Sequence, residues 1–203
     1  MKKTNLIWLF IGMVFIIPCL AYAGFSFYER YFQKLPVYGN ASAIPAFALT
    51  NQDNQTATLE EWNNKIVVAD FFFTQCPSIC PKMTNSLKRV QQAFNPDDIL
   101  IRSFSVDPET DDPKKLQSYV GQFGIETTNW SLLTGDKKEI YKLARNGFML
   151  VATDGDGGPN DFIHSEKLVL VDKQKQIRGY YDGTSEQEVN MLISDIKKLQ
   201  HEN

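Results

Sequence analysis

Cysteine and histidine are scarce in this sequence of 203 residues, which holds three of the former and two of the latter. Three cysteines are too few for a disulfide scaffold, and a four-cysteine iron–sulfur site is excluded outright. Basic residues are not in excess either. Lys and Arg number 21 against 24 Asp and Glu, a formal net charge of −3. A nucleic-acid binder needs a basic face to neutralise phosphates, so that class is set aside. Charges of both signs are mixed along the chain, as on an ordinary solvated surface. There is no internal repeat and no low-complexity tract.

Apolar side chains are plentiful, at 43% with 12% aromatic. Once a hydrophobic N-terminal segment is set aside, about 160 residues remain, the usual size of one domain with one sizeable core. That segment begins with Lys2 and Lys3 and runs without charge over residues 4–28, with its apolar centre at residues 6–17. A spanning helix needs about 20 predominantly apolar residues, a length reached if residues 21–28 are counted. The two lysines hold the N-terminus in the cytoplasm, so the remainder of the chain is exported. A cleaved signal peptide is the rival reading: Ala21-Tyr22-Ala23 before Gly24 suits cleavage, and Pro18 would end the apolar helix ahead of it. Continuation of the run through Phe25, Phe27 and Tyr28 favours an anchor. Pro18 is a poor neighbour for lipid attachment at Cys19. The segment lacks the Arg/Ser-rich character of a mitochondrial presequence. The expectation is a monomer in a bacterial inner membrane, with residues 1–28 as anchor, 29–43 as linker and 44–203 as a domain on the periplasmic side.

Within that domain, strand and helix patterns alternate. Residues 66–73 form a near-continuous run of β-branched and aromatic residues, which predicts a buried strand. Met83, Leu87, Val90 and Phe94 recur at helical spacing, 99–106 alternate as a strand, and 113–123 read as a helix with Pro113 in its first turn. Residues 130–133 predict a short strand and 136–145 a helix. A hairpin follows from 168–171 and 177–181, then a closing helix over 185–199 whose Ser185 and Glu188 have the spacing of a capping box. Alternation of this kind means an α/β domain.

The chemistry concentrates in Cys76-Pro77-Ser78-Ile79-Cys80-Pro81, directly after the most apolar strand, where open α/β sheets bind ligands. If the segment turns helically, residues four apart share a face with Cβ atoms about 5–6 Å apart. Two thiolates so placed can clamp one metal ion at about 2.3 Å or approach disulfide geometry. Both chemistries stay open, although thiol–disulfide enzymes more often space their cysteines C-x-x-C. A peroxidase is disfavoured because Arg89 and Arg102 are the only arginines near the pair. Soft thiolates favour copper(I), zinc or iron–sulfur clusters, and structural zinc wants four Cys or His ligands. His201 stands three residues from the C-terminus and reads as a solvated tail residue. His164 is then the one credible third ligand, and two thiolates with one imidazole suit copper. It comes after an acidic, glycine-rich stretch, 154–161, that imitates a calcium loop but has Gly158 and Ser165 where ligands are needed. This stretch reads as a flap beside the site.

Taken together, 71–81, Phe104-Ser105-Val106-Asp107-Pro108 with Asp112-Pro113, Trp130 to Gly135, His164-Ser165, Leu170-Val171-Asp172 and Gly179 to Gly183 resemble the SCO/SenC family of copper chaperones. The match covers almost all of the exported domain. The resemblance implies a thioredoxin-like fold with an added hairpin, one copper ion held by Cys76, Cys80 and His164, and a membrane anchor. It implies delivery of copper to the dinuclear copper site of cytochrome c oxidase subunit II, or reduction of the cysteines there. Members often carry Asp before the histidine. Here Ile163 takes that place, with Asp161 three residues from His164. Asp107 is a candidate to orient the site or to cap the turn before Pro108. The alternative within the same fold is a thiol–disulfide oxidoreductase that uses Cys76 and Cys80 without His164.

Overall fold

The structure is a computed structural model that describes residues 3–32, 34–39, 44–150 and 165–202. The chain divides into two compact units, Met1–Lys34 and Leu35–Asn203.

The first unit is one helix, α1 (Lys3–Phe32). Large apolar side chains along it are exposed, among them Phe10, Met13, Phe15, Ile16, Ile17, Leu20 and Phe25. Among the described residues, no helix is long and apolar enough to cross a membrane. α1 continues through Pro18. The helix end expected at Pro18 is therefore not formed: proline removes one ladder hydrogen bond, and the turns on either side keep theirs.

The second unit is built on a seven-stranded sheet in the order β2-β1-β5-β4-β3-β6-β7. β1 (Ala48–Asn51) and β2 (Thr56–Thr58) form an edge hairpin. β3 (Ile66–Phe72), β4 (Ile99–Ser105) and β5 (Trp130–Thr134) run parallel, with Phe72 opposite Ser105. β6 (Lys167–Val171) and β7 (Ile177–Asp182) complete the sheet antiparallel. Every residue of β3 is buried, as its near-continuous apolar run, broken only by Asp70, demands. Val68 and Phe72 face α2 (Ile79–Gln92), α3 (Pro113–Phe123) and α5 (Glu186–His201), while Val67, Ala69 and Phe71 face a second core with Trp62, Phe104 and Phe148. Burying each large apolar side chain contributes about 1.5–3 kcal/mol, so β3, apolar on both faces, anchors the domain.

α3 occupies the range that its pattern predicts. Asp112 caps it by accepting from the Lys115 N–H, and Gly124 ends it at φ +58, a left-handed turn that favours glycine. Other elements depart from expectation. The β1–β2 hairpin has no sequence signature, because three- and four-residue strands carry too little periodicity. The helix expected over 136–145 is regular only as α4 (Lys137–Lys142). A wider π turn comes next at Leu143–Gly147 and delivers Phe148 into the core against Phe71, Phe104 and Trp62. The capping box of α5 is half formed. Ser185 Oγ accepts from the Glu188 N–H, but the Glu188 carboxylate accepts from the Asp182 N–H at 2.5 Å rather than from Ser185.

Of the stretch read as linker, residues 35–39 are tied into the second unit. The Tyr38 N–H donates to the Ile177 carbonyl. Arg178 donates to the Leu35 and Pro36 carbonyls and pairs with Asp172 at 3.0 Å and Glu202 at 2.6 Å. Its side chain is 8% exposed, and removing it strands a buried Asp172 carboxylate. Arg178→Ala is expected to lower stability by about 3 kcal/mol, read as a drop in the denaturant midpoint at an unchanged slope.

Candidate metal centre

β3 stops at Phe72 because the sheet ends there: the Val106 N–H donates to the Phe72 carbonyl, the last rung between β3 and β4. Phe73, Thr74 and Gln75 then carry the chain to Cys76, whose N–H closes a turn on the Phe73 carbonyl. α2 starts at Ile79, four residues before the apolar pattern announces a helix, and so takes Cys80 into its first turn. The first N–H groups of a helix have no partners within it. Cys76 Sγ serves as one of those partners, accepting from the Cys80 N–H at 3.3 Å. Both thiols are free, with Cys76 8% and Cys80 5% exposed.

The two sulfurs are electrostatically unequal. Burial pushes the Cys76 thiol up, but the N–H groups of Cys80, Ser78 and Ile79, with the Cys80 side chain, outweigh it and bring the thiol below its ordinary value. Burial pushes Cys80 up to about 12, despite a backbone hydrogen bond with Phe73 that works the other way; Cys76 and Asp70 add to the rise. Asp70, on the same strand, is 3% exposed. It accepts from Ser103 Oγ at 2.5 Å, and Ser103 Oγ in turn accepts from Trp130 Nε1 at 2.9 Å. Burial raises the Asp70 carboxyl to about 7, and the Ser103 bond only partly offsets it. Tyr119, whose ring packs on Phe72 and whose hydroxyl bonds Thr84 at 2.8 Å, is likewise raised, first by burial.

Two of the three expected ligands thus come together. His164 and the flap at 154–161 lie outside the described residues, and among the described residues no group of three Cys, His, Asp or Glu gathers around one point. His201 is the exposed last residue of α5. Asp107 serves the turn through its main chain, its carbonyl accepting from the Thr110 and Asp111 N–H groups. Asp70 belongs to no motif in the sequence, although a lone acid inside an apolar strand is itself a signal.

Residues 37–201 match the SCO1/SenC family model. The chain belongs to the SCO1/SenC family. A SCO1 protein homolog of Bacillus subtilis is 32% identical over 157 residues, 76% of this chain and 81% of that one. The structure of BsSco, described as a Sco family cytochrome c oxidase assembly protein with a disulfide switch, has 30% identity and a TM-score of 0.70, covering 85% of this chain and 99% of that one. Copper-bound ScoI of Bradyrhizobium japonicum, at 23% identity and a TM-score of 0.62 over 78% of this chain and 99% of that one, shares the fold. The mixed α/β, thioredoxin-like fold expected from the sequence of this SCO1/SenC protein therefore stands.

The unequal groups of this SCO1/SenC site have two measurable consequences. Asp70 holds its proton more tightly folded, at about 7, than at its ordinary value of 3.8. It therefore favours the folded state fully at low pH and loses that contribution as pH rises through about 7. Asp70→Asn, which does not titrate, should gain on the wild type between pH 4 and pH 8 by up to about 4 kcal/mol, measured by denaturant unfolding at both pH values. In the reduced protein at pH 7, iodoacetamide should modify Cys76 at least about tenfold faster than Cys80, as read by peptide mass spectrometry; equal rates would contradict the assigned asymmetry.

Proposed function

We propose that this SCO1/SenC protein is a copper chaperone, holding one copper ion through Cys76, Cys80 and His164 and passing it to the dinuclear copper site of cytochrome c oxidase subunit II. The observation that carries the reading is the Cys80 N–H on Cys76 Sγ at 3.3 Å, which puts two free thiols in one helical turn at a sheet's end. Two thiolates are a soft donor pair that suits copper(I), and an imidazole completes a three-ligand site. Copper is the cargo here. Cys76, whose thiol is lowered while that of Cys80 is raised, is the readier of the two to lose its proton. Cys80 gives up its proton only when metal replaces it, so affinity falls as pH falls. Release proceeds by ligand exchange, with a partner's cysteines displacing the protein thiolates one at a time.

The anchor belongs to the same proposal. The 30-residue α1 with outward apolar side chains, and Lys2 and Lys3 at its start, support a helix in the bacterial inner membrane with the second unit on the periplasmic side.

A second reading is favoured by the inequality of the two thiols. A lowered Cys76 attacks a target disulfide as thiolate and forms a mixed disulfide. Cys80 then loses its proton and attacks Cys76 Sγ. The target leaves with two electrons, and Cys76 and Cys80 are left as a disulfide. In this role the protein would reduce the subunit II cysteines before metallation.

Copper(I) titration against a competing chelator under anaerobic reducing conditions tests the first reading. Cys76→Ser and Cys80→Ser are each expected to weaken binding by at least about a hundredfold. His164→Ala should weaken it by about tenfold and alter the thiolate-to-copper(II) absorption band. Affinities unchanged in all three variants would remove the metal site. Full rescue of oxidase assembly by His164→Ala would favour the dithiol reading.

A further inference from the structure

The segment that presents Cys76 leaves the sheet at Phe72, and the residues just beyond it, Gln75, Pro77 and Ser78, are exposed. A loop held only by its own turn would let Cys76 Sγ wander relative to Cys80. One side chain from elsewhere in the chain prevents this. Asp111, fully buried, lies in the turn between β4 and α3. Its Oδ2 accepts from the Thr74 N–H at 3.0 Å and from Ser105 Oγ at 2.6 Å, while its Oδ1 accepts from Thr74 Oγ1 at 2.5 Å. Ser105 Oγ in turn accepts from the Asp107 N–H at 3.1 Å. One carboxylate thereby joins the exit of β3, the end of β4 and the start of α3.

We propose that Asp111 is a positioning residue for the Cys76 thiol, fixing Thr74 and so the two-residue approach to Cys76 against the frame of β4 and α3. The inference rests on the reading of Cys76 and Cys80 as the working pair, whichever of copper or disulfide chemistry it performs.

Cost argues for this role. A buried carboxylate is expensive unless well compensated, and among the described residues no Lys or Arg forms an ion pair with Asp111. Closing the turn does not require it, because the Asp107 carbonyl already accepts from the Thr110 and Asp111 N–H groups. Capping α3 does not require it either, since Asp112 accepts from the Lys115 N–H at 2.7 Å. What Asp111 alone supplies is a two-point grip on Thr74, by main chain and hydroxyl together. Two points fix an orientation as well as a distance. Holding Cys76 in place raises the effective concentration of its sulfur at Cys80, and the same fixity defines the pair that a metal meets.

The test uses the full chain in detergent. The dithiol–disulfide equilibrium of Cys76 and Cys80 is measured against glutathione buffers, together with the absorption spectrum of the copper(II) form. Asp111→Ala is expected to move the equilibrium toward the dithiol by about tenfold or more and to broaden or shift the copper band. Thr74→Val should move both in the same direction by less, and the double variant should exceed Asp111→Ala by little, since both changes break one grip. Asp111→Asn keeps an acceptor for the Thr74 N–H and should restore most of the equilibrium. Asp112→Ala, which loses a helix cap and some stability, should leave it within about twofold and so separates a general loss of stability from loss of position. A folded Asp111→Ala protein whose equilibrium and spectrum match the wild type would overturn the proposal. If Asp111→Ala does not fold, a Thr74→Val equilibrium within twofold of the wild type overturns it. Absence of copper binding in the wild type would defeat the copper reading alone, because the glutathione equilibrium still decides the part played by Asp111.

Discussion

The geometry of the site depends on where β3 ends. Its seven residues are buried on both faces and locked between β4 and β6. The point at which the chain escapes the sheet is therefore fixed by the core, not by the loop. From that point only a short excursion is available before α2 begins at Ile79. Cys76 falls in the excursion and Cys80 in the first turn, which is why a sulfur can accept from a helix N–H. If β3 were half exposed, a register slip of one residue would turn Phe72 and its neighbours to the wrong face and carry the cysteine loop with them.

The helix terminus then divides the labour between two chemically identical thiols. Cys76 sits on the side toward which the unpaired N–H groups point, so the main chain favours its ionisation. Cys80 sits behind, in the core cluster that also holds Met83 and Phe72, and Asp70 lies close enough to oppose its ionisation. Metal capture and disulfide exchange ask for the same thing at this stage: one thiolate available first, and a second that ionises when a partner, metal or sulfur, draws its proton off. This shared requirement is why the pair alone does not choose between chaperone and reductase. The choice lies with His164, which stands outside the described residues.

Much of the fold is legible because its core elements obey simple periods. The apolar run at 66–73, the stripe Met83, Leu87, Val90, and the Pro113 start of α3 each express one local rule with no competing signal. The departures have causes of a different kind. β1 and β2 are too short to show a period and exist because β1 pairs with β5, a tertiary fact. The π turn at Leu143–Gly147 exists because Phe148 has a core position to fill, and Glu188 abandons the expected cap for the Asp182 N–H. At the site, the cysteines are legible from spacing alone, since nothing else in the chain concentrates soft ligands. Asp70 and Asp111 are not. An acid in an apolar strand and an acid among the surface-like residues Asp107, Glu109 and Asp112 look ordinary until the sheet brings their partners to them.

Those two acids keep such a site both reactive and in place. Asp70 is a cost borne inside the core, a carboxyl raised to about 7 by burial and held by Ser103, which Trp130 holds in turn. Its effect reaches Cys80 through space. Asp111 acts through bonds instead, gripping Thr74 two residues before Cys76. One tunes the charge of the inner sulfur, the other the place of the outer one. Asp70 stands on β3 and Asp111 in the turn between β4 and α3, so neither depends on the loop that carries the cysteines. A loop whose reactive groups are set from the rigid sheet beneath it can stay open to a docking partner without losing its geometry. The proposed transfer of copper would need that combination: a firm hold on the ligands and an open approach to them.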